Sequence, residues 1–354
     1  MPTTDKNSSL GTRLETRFRF ARERALEYWP QDTDSTCSEH PAKCRTKVSR
    51  DAENGVNKRG GNCDPQRRDW LDKNGPAAPV PWFGGKRGQA PWIISKFLDH
   101  DMYVEAFAGM ANVLLRKHPS KMEVYNDLNG RVTNFFRVLQ DKDQFDEFVR
   151  LCWVTPVSRA AFERLCAEPV TDDSVREAWK FFVLGRQSRG GFGAGDVSKK
   201  DWAVSTRPRR ERPEQISKFL TAIDGLDDVA RRIREHVTIE CMPAVQLIKK
   251  YDRYHNPDGV GIRRRIVLFY LDPPYPPETR YGGKAATYLM EMTRDDHVEL
   301  LETIRECKSN VIISSYPSKL YDGMLSDWNR DELQVKAQTS NSGQKRTEVI
   351  WMNF

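Results

Sequence analysis

The sequence predicts an α/β fold: a doubly wound, mostly parallel sheet interrupted by a mainly helical insertion. Three observations lead there. Ile266-Val267-Leu268-Phe269-Tyr270-Leu271 is an unbroken apolar run that stops at Asp272-Pro273-Pro274-Tyr275, the pattern of a strand buried on both faces. Tyr103-Val104-Glu105-Ala106-Phe107-Ala108-Gly109 reads as a short strand and a tight small-residue turn, with a helix expected over 112–117; strand, turn and helix form the nucleotide-binding unit of doubly wound sheets. The strand–helix alternation then lapses between about 145 and 235 and resumes at Val237.

At 354 residues the chain exceeds what one sheet domain needs. It divides into an N-terminal extension (1–79), a first part of the sheet domain (80–148), the insertion (149–235) and a second part (236–354). The net charge of +7 favours a polyanionic partner. No apolar run approaches the roughly 18 residues of a membrane helix, and the polar N-terminus carries no secretory pattern. Seven scattered cysteines suit reduced thiols in a cytoplasm.

In the extension, Leu14, Phe18, Ala21, Ala25 and Trp29 recur at helical spacing, so 13–29 is expected to be an amphipathic helix. The polar stretch after it reads as a linker. It holds Cys37, His40, Cys44 and Cys63 at irregular spacing; a zinc site and free loop thiols are both open readings, and free thiols without a metal are expected. Pro81-Trp82-Phe83-Gly84-Gly85-Lys86-Arg87 offers a flat ring, glycines that let backbone approach a ligand, and a cation. A short helix is expected over 91–98.

Met122-Glu123-Val124-Tyr125-Asn126-Asp127 reads as a second strand ending in an acid. Asp127 lies about 18 residues beyond Gly109, near the interval of about 20 at which such an acid takes ribose hydroxyls. The competing reading is an N-cap for the helix over 131–140. In the insertion, helical patterns at 158–166 and 174–184 precede a loop rich in glycine and positive charge. Its Arg186, Arg189, Lys199, Lys200, Arg207, Arg209 and Arg210, interleaved with Phe192 and Trp202, suit phosphate and base contacts; a solvated charged loop is the alternative. The glycine cluster follows a helix, not a strand, so a phosphate-binding loop is rejected.

The sheet resumes with a strand over 237–241 and a helix over 245–251. After Asp272-Pro273-Pro274-Tyr275, residues 279–288 form a polar loop placed to cover the site, and Thr293 opens a capped helix. Val311-Ile312-Ile313-Ser314 is a further buried strand, and the alternating run 346–354 suits an antiparallel edge.

Asp272 therefore stands at the carboxyl end of a central strand, where open α/β sheets bind ligands. Its carboxylate and the proline carbonyls only accept hydrogen bonds, and Tyr275 sets an aromatic face beside them. That set suits a flat ligand bearing an NH₂ group, such as a nucleobase; an ordinary turn after a strand is the alternative.

The ordered set Phe83-Gly84-Gly85-Lys86, Phe107-Ala108-Gly109, Asn126-Asp127, basic insertion and Asp272-Pro273-Pro274-Tyr275 resembles the Dam-type, D12-class, α-arranged adenine-specific DNA methyltransferases. Ser314-Ser315-Tyr316-Pro317, Leu320-Tyr321-Asp322, Trp328 and Arg346-Thr347-Glu348 look like phage-type members. The resemblance covers about 80–354. It implies a Rossmann-like S-adenosylmethionine-dependent methyltransferase sheet with an inserted, mainly helical target-recognition domain. It also implies S-adenosyl-L-methionine as methyl donor without a metal, double-stranded DNA as partner, a monomer in a bacterial or phage setting, and the option of a cognate restriction enzyme. Trp82 and Lys86 would contact the donor, Phe107 and Gly109 line its turn, and Asp127 hold its ribose. Asp272 would lie between the donor's methionine end and the target amine, with Pro273 and Pro274 fixing the acceptors and Tyr275 stacking on adenine.

Two departures stand out. Ala111 replaces the last glycine of the family turn, a small change, and Met242-Pro243-Ala244 stand where such enzymes often carry an acid. Cytosine-N4, RNA and protein-amide methyltransferases are rivals whose sites more often begin with Ser or Asn; a catalytically dead DNA-binding relative is another.

Overall fold

The computed structural model describes residues 75–189, 201–260, 264–279, 290–336 and 345–354. The expected helix over 13–29, the Cys37/His40/Cys44/Cys63 set, Phe192, Lys199, Lys200 and most of the loop over 279–288 lie outside the described residues.

A seven-stranded sheet organises the molecule. Its strands are β1 (Met102–Glu105), β2 (Met122–Asn126), β5 (Val237–Glu240), β6 (Val267–Leu271), β7 (Asn310–Ser315), β8 (Asn329–Lys336) and β9 (Lys345–Met352), in the order β5-β2-β1-β6-β7-β9-β8. The first five are parallel; β9 runs antiparallel to β7 and to β8. From β1 the chain steps outward to β2 and β5, then returns to β6 on the other side of β1. The direction reverses between β1 and β6, so the crevice at their carboxyl ends is the ligand position of such sheets. The run 346–354 does form an antiparallel strand, but not an edge. That place belongs to β8, whose charged Arg330, Asp331 and Glu332 discourage further pairing.

Side chains alternate across the buried strands and feed two cores. Tyr103, Leu268 and Tyr270 point into one, with Tyr125, Ile312 and Ile350. Met102, Val104, Val267, Phe269 and Leu271 point into the other, with Val311, Val349 and Trp351. The first core is covered by α2 (Gly130–Gln140), α3 (Lys142–Trp153), α4 (Arg159–Ala167), α5 (Ser174–Gln187), α6 (Glu214–Asp224) and α7 (Leu226–His236), besides the short α1 (Ala90–Ile94). The second is covered by α8 (Ala244–Asp252), α9 (Arg294–Arg305) and α10 (Lys319–Met324). Phe148, Phe162, Phe181, Phe182 and Phe219 thus share one apolar cluster with the sheet, and the helices between residues 149 and 235 are continuous with it. Among the described residues no helix is long and apolar enough to cross a membrane.

Local sequence explains most ends. Asp141 caps α3 by accepting from the Gln144 N–H at 2.9 Å. Thr293 and Asp296 form the expected reciprocal capping box of α9. The helix expected over 112–117 is instead a series of turns, with Leu115 N–H donating to the Ala111 carbonyl at 2.9 Å. Positive φ at Gly109 (48°) and Ala111 (53°) starts the segment outside helical geometry. A buried ion cluster ties it down: Lys117 Nζ lies 2.5 Å from Glu123 Oε1 of β2, and Arg232 of α7 pairs with the other oxygen.

Candidate active site

The site gathers at the carboxyl ends of β1, β2 and β6. β2 and β6 flank β1, so the tips bearing Asp127 and Asp272 stand roughly 10 Å apart, two strand spacings. The turn after β1 comes first. Tyr125 donates its hydroxyl to the Gly109 carbonyl at 2.9 Å, and Gly109 N–H donates to Asp127 Oδ2 at 2.8 Å. Glycine is required there, because a Cβ would sit 2.5 Å from the Trp82 indole nitrogen at a φ of 48°. Trp82 is half-buried between this turn and Phe181 of α5, ring centres 6.3 Å apart. Phe107 is half-buried against the second core.

Asp127 is not a helix cap. Its Oδ1 accepts the Asn129 N–H at 2.8 Å, and it is Asn129 that caps α2, accepting from Arg131 N–H at 3.1 Å. Burial pushes the Asp127 carboxyl up, while its two backbone N–H donors pull it down. Two bonds use half of a carboxylate's acceptor sites, so ribose hydroxyls still have lone pairs to meet. Next to it Asn126 donates to the Ala106 and Met242 carbonyls at 2.9 and 3.0 Å and accepts from Met242 N–H at 3.0 Å. One side chain thereby clamps the ends of β1, β2 and β5. The residues over 82–127 thus offer a cradle in which a Cβ would clash, an indole face and a carboxylate with spare acceptors, a set that fits a nucleoside-bearing donor.

Asp272 anchors the other half. Lys86 Nζ lies 2.7 Å from Asp272 Oδ1 and 3.5 Å from Glu348 Oε1. Ser314, at the end of β7, donates to Asp272 Oδ1 at 3.0 Å and exchanges a 3.1 Å contact with the Tyr270 hydroxyl. Gly84, at φ 72°, turns the loop, and Lys86 Nζ donates to its carbonyl at 3.1 Å. Pro273 is buried and Pro274 half-buried. Tyr275 is buried and donates its hydroxyl to Glu348. Lys86 Nζ stands 4.8 Å over its ring, and Tyr316 packs on it edge-on at 4.6 Å. Burial, with the Asp272 and Glu348 charges, holds the Tyr275 hydroxyl well above its ordinary value.

Sequence patterns assign no site role to three residues of this set. Glu348 follows the polar Lys345-Arg346-Thr347 and precedes the apolar Val349-Ile350-Trp351 on β9, and stands in the sequence only within a run that looks like phage-type members. Ser314 reads only as strand and as the start of Ser314-Ser315-Tyr316-Pro317. Glu105 is buried at the end of β1, where its Oε2 accepts from the Tyr103 hydroxyl at 2.8 Å and from Leu114 N–H at 2.9 Å. Burial raises its carboxyl to about 8.

The basic residues of the insertion separate into classes. Pro208–Arg209 and Arg212–Pro213, strands β3 and β4, form a hairpin whose turn residues Arg210 and Glu211 have φ of 51° and 59°. Arg207, Arg209 and Arg210 are exposed, as is Arg189. Arg186 corrects an expectation: it belongs to the last turn of α5, not to a loop, and is half-buried. Its Nε is buried without a hydrogen-bond partner among the described residues, and burial beside Arg87 draws the guanidinium down to about 10. Trp202 is half-buried, its ring packed edge-on against Phe162 at 5.5 Å.

Comparison with curated proteins returns no match. Among solved structures, the crystal structure of a SAM-dependent methyltransferase from Agrobacterium tumefaciens aligns with 76% of this chain at 10% identity and a TM-score of 0.30. The chain spans 62% of that structure's length, and a likeness so loose says nothing further. Residues 82–160, the stretch that holds Trp82, Lys86, Phe107, Gly109 and Asp127, match the sequence model of the family described as D12 class N6 adenine-specific DNA methyltransferase.

Proposed function

We propose that this protein transfers a methyl group to N6 of an adenine turned out of double-stranded DNA. The observation that carries the reading is the convergence of Asp272, Lys86, Ser314 and Tyr275 at the sheet's reversal point, together with the family match over 82–160. S-adenosylmethionine, when bound, supplies an electrophilic methyl on its sulfonium, whose S–C bond would break to leave the neutral thioether S-adenosylhomocysteine. Gly109 and Trp82 would hold its nucleoside, and Asp127 its ribose.

N6 of adenine is a poor nucleophile because its lone pair is delocalised into the ring. Asp272 and the Pro273 carbonyl are acceptors only, so both can take N–H bonds from the amine and raise electron density on nitrogen. Ser314, donating to Asp272 Oδ1, fixes the carboxylate's orientation. The amine's departing proton goes to an acceptor at this site or to water. Rate enhancement then rests on positioning and electrostatics. A paired adenine cannot reach the end of β6, so the base leaves the stack at a cost of a few kcal/mol. Stacking on Tyr275 would offset about 1–3 kcal/mol of this.

The exposed Arg207, Arg209 and Arg210 on the β3–β4 hairpin, with Arg189, would supply phosphate contacts, and the segment 149–235 would read the target. The test is a nucleoside digest of DNA incubated with the protein and methyl-labelled donor. N6-methyladenine is the expected product; label on cytosine N4 only, or transfer to RNA and not to DNA, would contradict the reading.

A further inference from the structure

The ion pair at the centre of the site poses a problem for any amine that is to bind there. Lys86 Nζ sits 2.7 Å from Asp272 Oδ1 and 4.8 Å over the Tyr275 ring. It therefore holds both the acceptor and the aromatic face that a target base needs. An ammonium this deeply buried, with 4% of Lys86 exposed, cannot be left without an anion. Lys86 and Ser314 both meet Asp272 Oδ1, which leaves Oδ2 to the base; as Asp272 shares its charge with the amine, the ammonium on Lys86 needs a second carboxylate beside it.

Glu348 is placed for that. It lies on β9 in line with Ile350 and Met352, which feed an apolar core, and with Arg346, which reaches Tyr316. Because β9 runs antiparallel to β7, with Ser315 opposite Val349, this position reaches the ligand end of the parallel strands. Only 2% of Glu348 is exposed, against 17% of the Asp272 side chain. Of the two carboxylates, Asp272 is open to a ligand and Glu348 is not. Lys86 Nζ is already 3.5 Å from Glu348 Oε1. A move of about 0.7 Å would bring it to the usual length of a charge-assisted hydrogen bond. The same oxygen accepts the Tyr275 hydroxyl, so the ring stays anchored while the lysine shifts.

We propose that Glu348 is a positioning residue of the acceptor site, which shares the Lys86 ammonium with Asp272 and anchors Tyr275 when the target amine binds. This rests on the methyltransferase reading above. Glu348 touches neither base nor donor; it acts through Lys86 and Tyr275.

The test compares wild type, Glu348→Gln and Glu348→Asp in the full chain, with duplex DNA and labelled donor. The glutamine keeps an acceptor for Tyr275 but offers Lys86 no charge. Its kcat should fall about tenfold or more, while the donor Kd and the KM for DNA stay within about twofold of wild type. Glu348→Asp restores the charge and should recover most of the kcat. Should Glu348→Gln fail to fold, a folded Glu348→Asp with near-wild-type kcat still supports the role. Unchanged kcat in Glu348→Gln overturns it. So do equal losses in both folded variants, weakened donor and DNA binding in place of the kcat effect, or failure of both variants to fold, since each marks a packing role. Those results leave the methyltransferase reading intact, whereas a wild type that forms no N6-methyladenine fails that reading first and takes this inference with it.

Discussion

At Asp272, one carboxylate serves an ammonium, a serine hydroxyl and, in the proposed reaction, an amine. Replacing it with alanine removes the acceptor the amine needs. Methylation should fall by three orders of magnitude or more, while DNA retention in a filter-binding assay persists, because the proposed phosphate contacts lie elsewhere. The turn after β1 makes two opposite demands. Gly109→Ala would drive a Cβ to 2.5 Å from the Trp82 indole nitrogen, so donor affinity measured by calorimetry should be lost along with stability. Ala111, by contrast, already carries a side chain at φ 53°. The left-handed region costs an L-residue about 1–2 kcal/mol, partly offset by the greater unfolded-chain entropy of glycine. Ala111→Gly should therefore stabilise by roughly 0.5–1 kcal/mol in thermal unfolding. The change that looked merely small in the sequence is a strained position in the fold.

Among the elements, the strands that bear the site were legible because burial on both faces leaves an unmistakable apolar run, as at Ile266–Leu271 and Val311–Ile313. The helix expected over 112–117 was not there, because positive φ at 109 and 111 is a backbone property that Ala111 does not advertise. What holds the turns instead is the Lys117–Glu123–Arg232 cluster, contributed by three separate segments, and no local pattern reveals such a meeting. Removing one member of a buried charge cluster strands the others. Lys117→Met should cost about 3–5 kcal/mol in chemical denaturation. The β3–β4 hairpin was read as a flexible basic loop. Its Arg207, Arg209 and Arg210 are exposed as expected, while Arg186 turned out to finish a helix. Arg209→Ala with Arg210→Ala should reduce the slope of log K against log salt for DNA binding by about 2, if each meets one phosphate. An unchanged slope would remove the hairpin from the interface.

Across the whole molecule, the chain reverses direction between β1 and β6, and that reversal places residues 82–127 beside residues 272–275 and 348. The first two segments could be named from sequence, since a ligand-end acid after an apolar strand is a local signal. Glu348 stood only within a run that looks like phage-type members and had no role of its own, because its meaning depends on β9 entering antiparallel and on which face it then presents. The same architecture predicts a pH dependence. Glu105 is buried at the end of β1 with its carboxyl raised from 4.5 to about 8. A raised acid means that the folded chain binds the proton more tightly than the unfolded one. Its favourable contribution is full below about 4.5 and is lost as pH rises to about 8, after which it levels. Urea midpoints should fall across that window, and Glu105→Gln, neutral at every pH, should flatten the fall.

The central claim is that Asp272, held by Lys86 and Ser314, grips the amine of an extruded adenine. Its most direct test is single-turnover transfer of labelled methyl from S-adenosylmethionine to duplex DNA by wild type and by Asp272→Ala, with donor and DNA binding measured in both. The expected result is N6-methyladenine from wild type and none from the variant, at comparable binding. Equal transfer by Asp272→Ala, or label appearing on a different base, would contradict it.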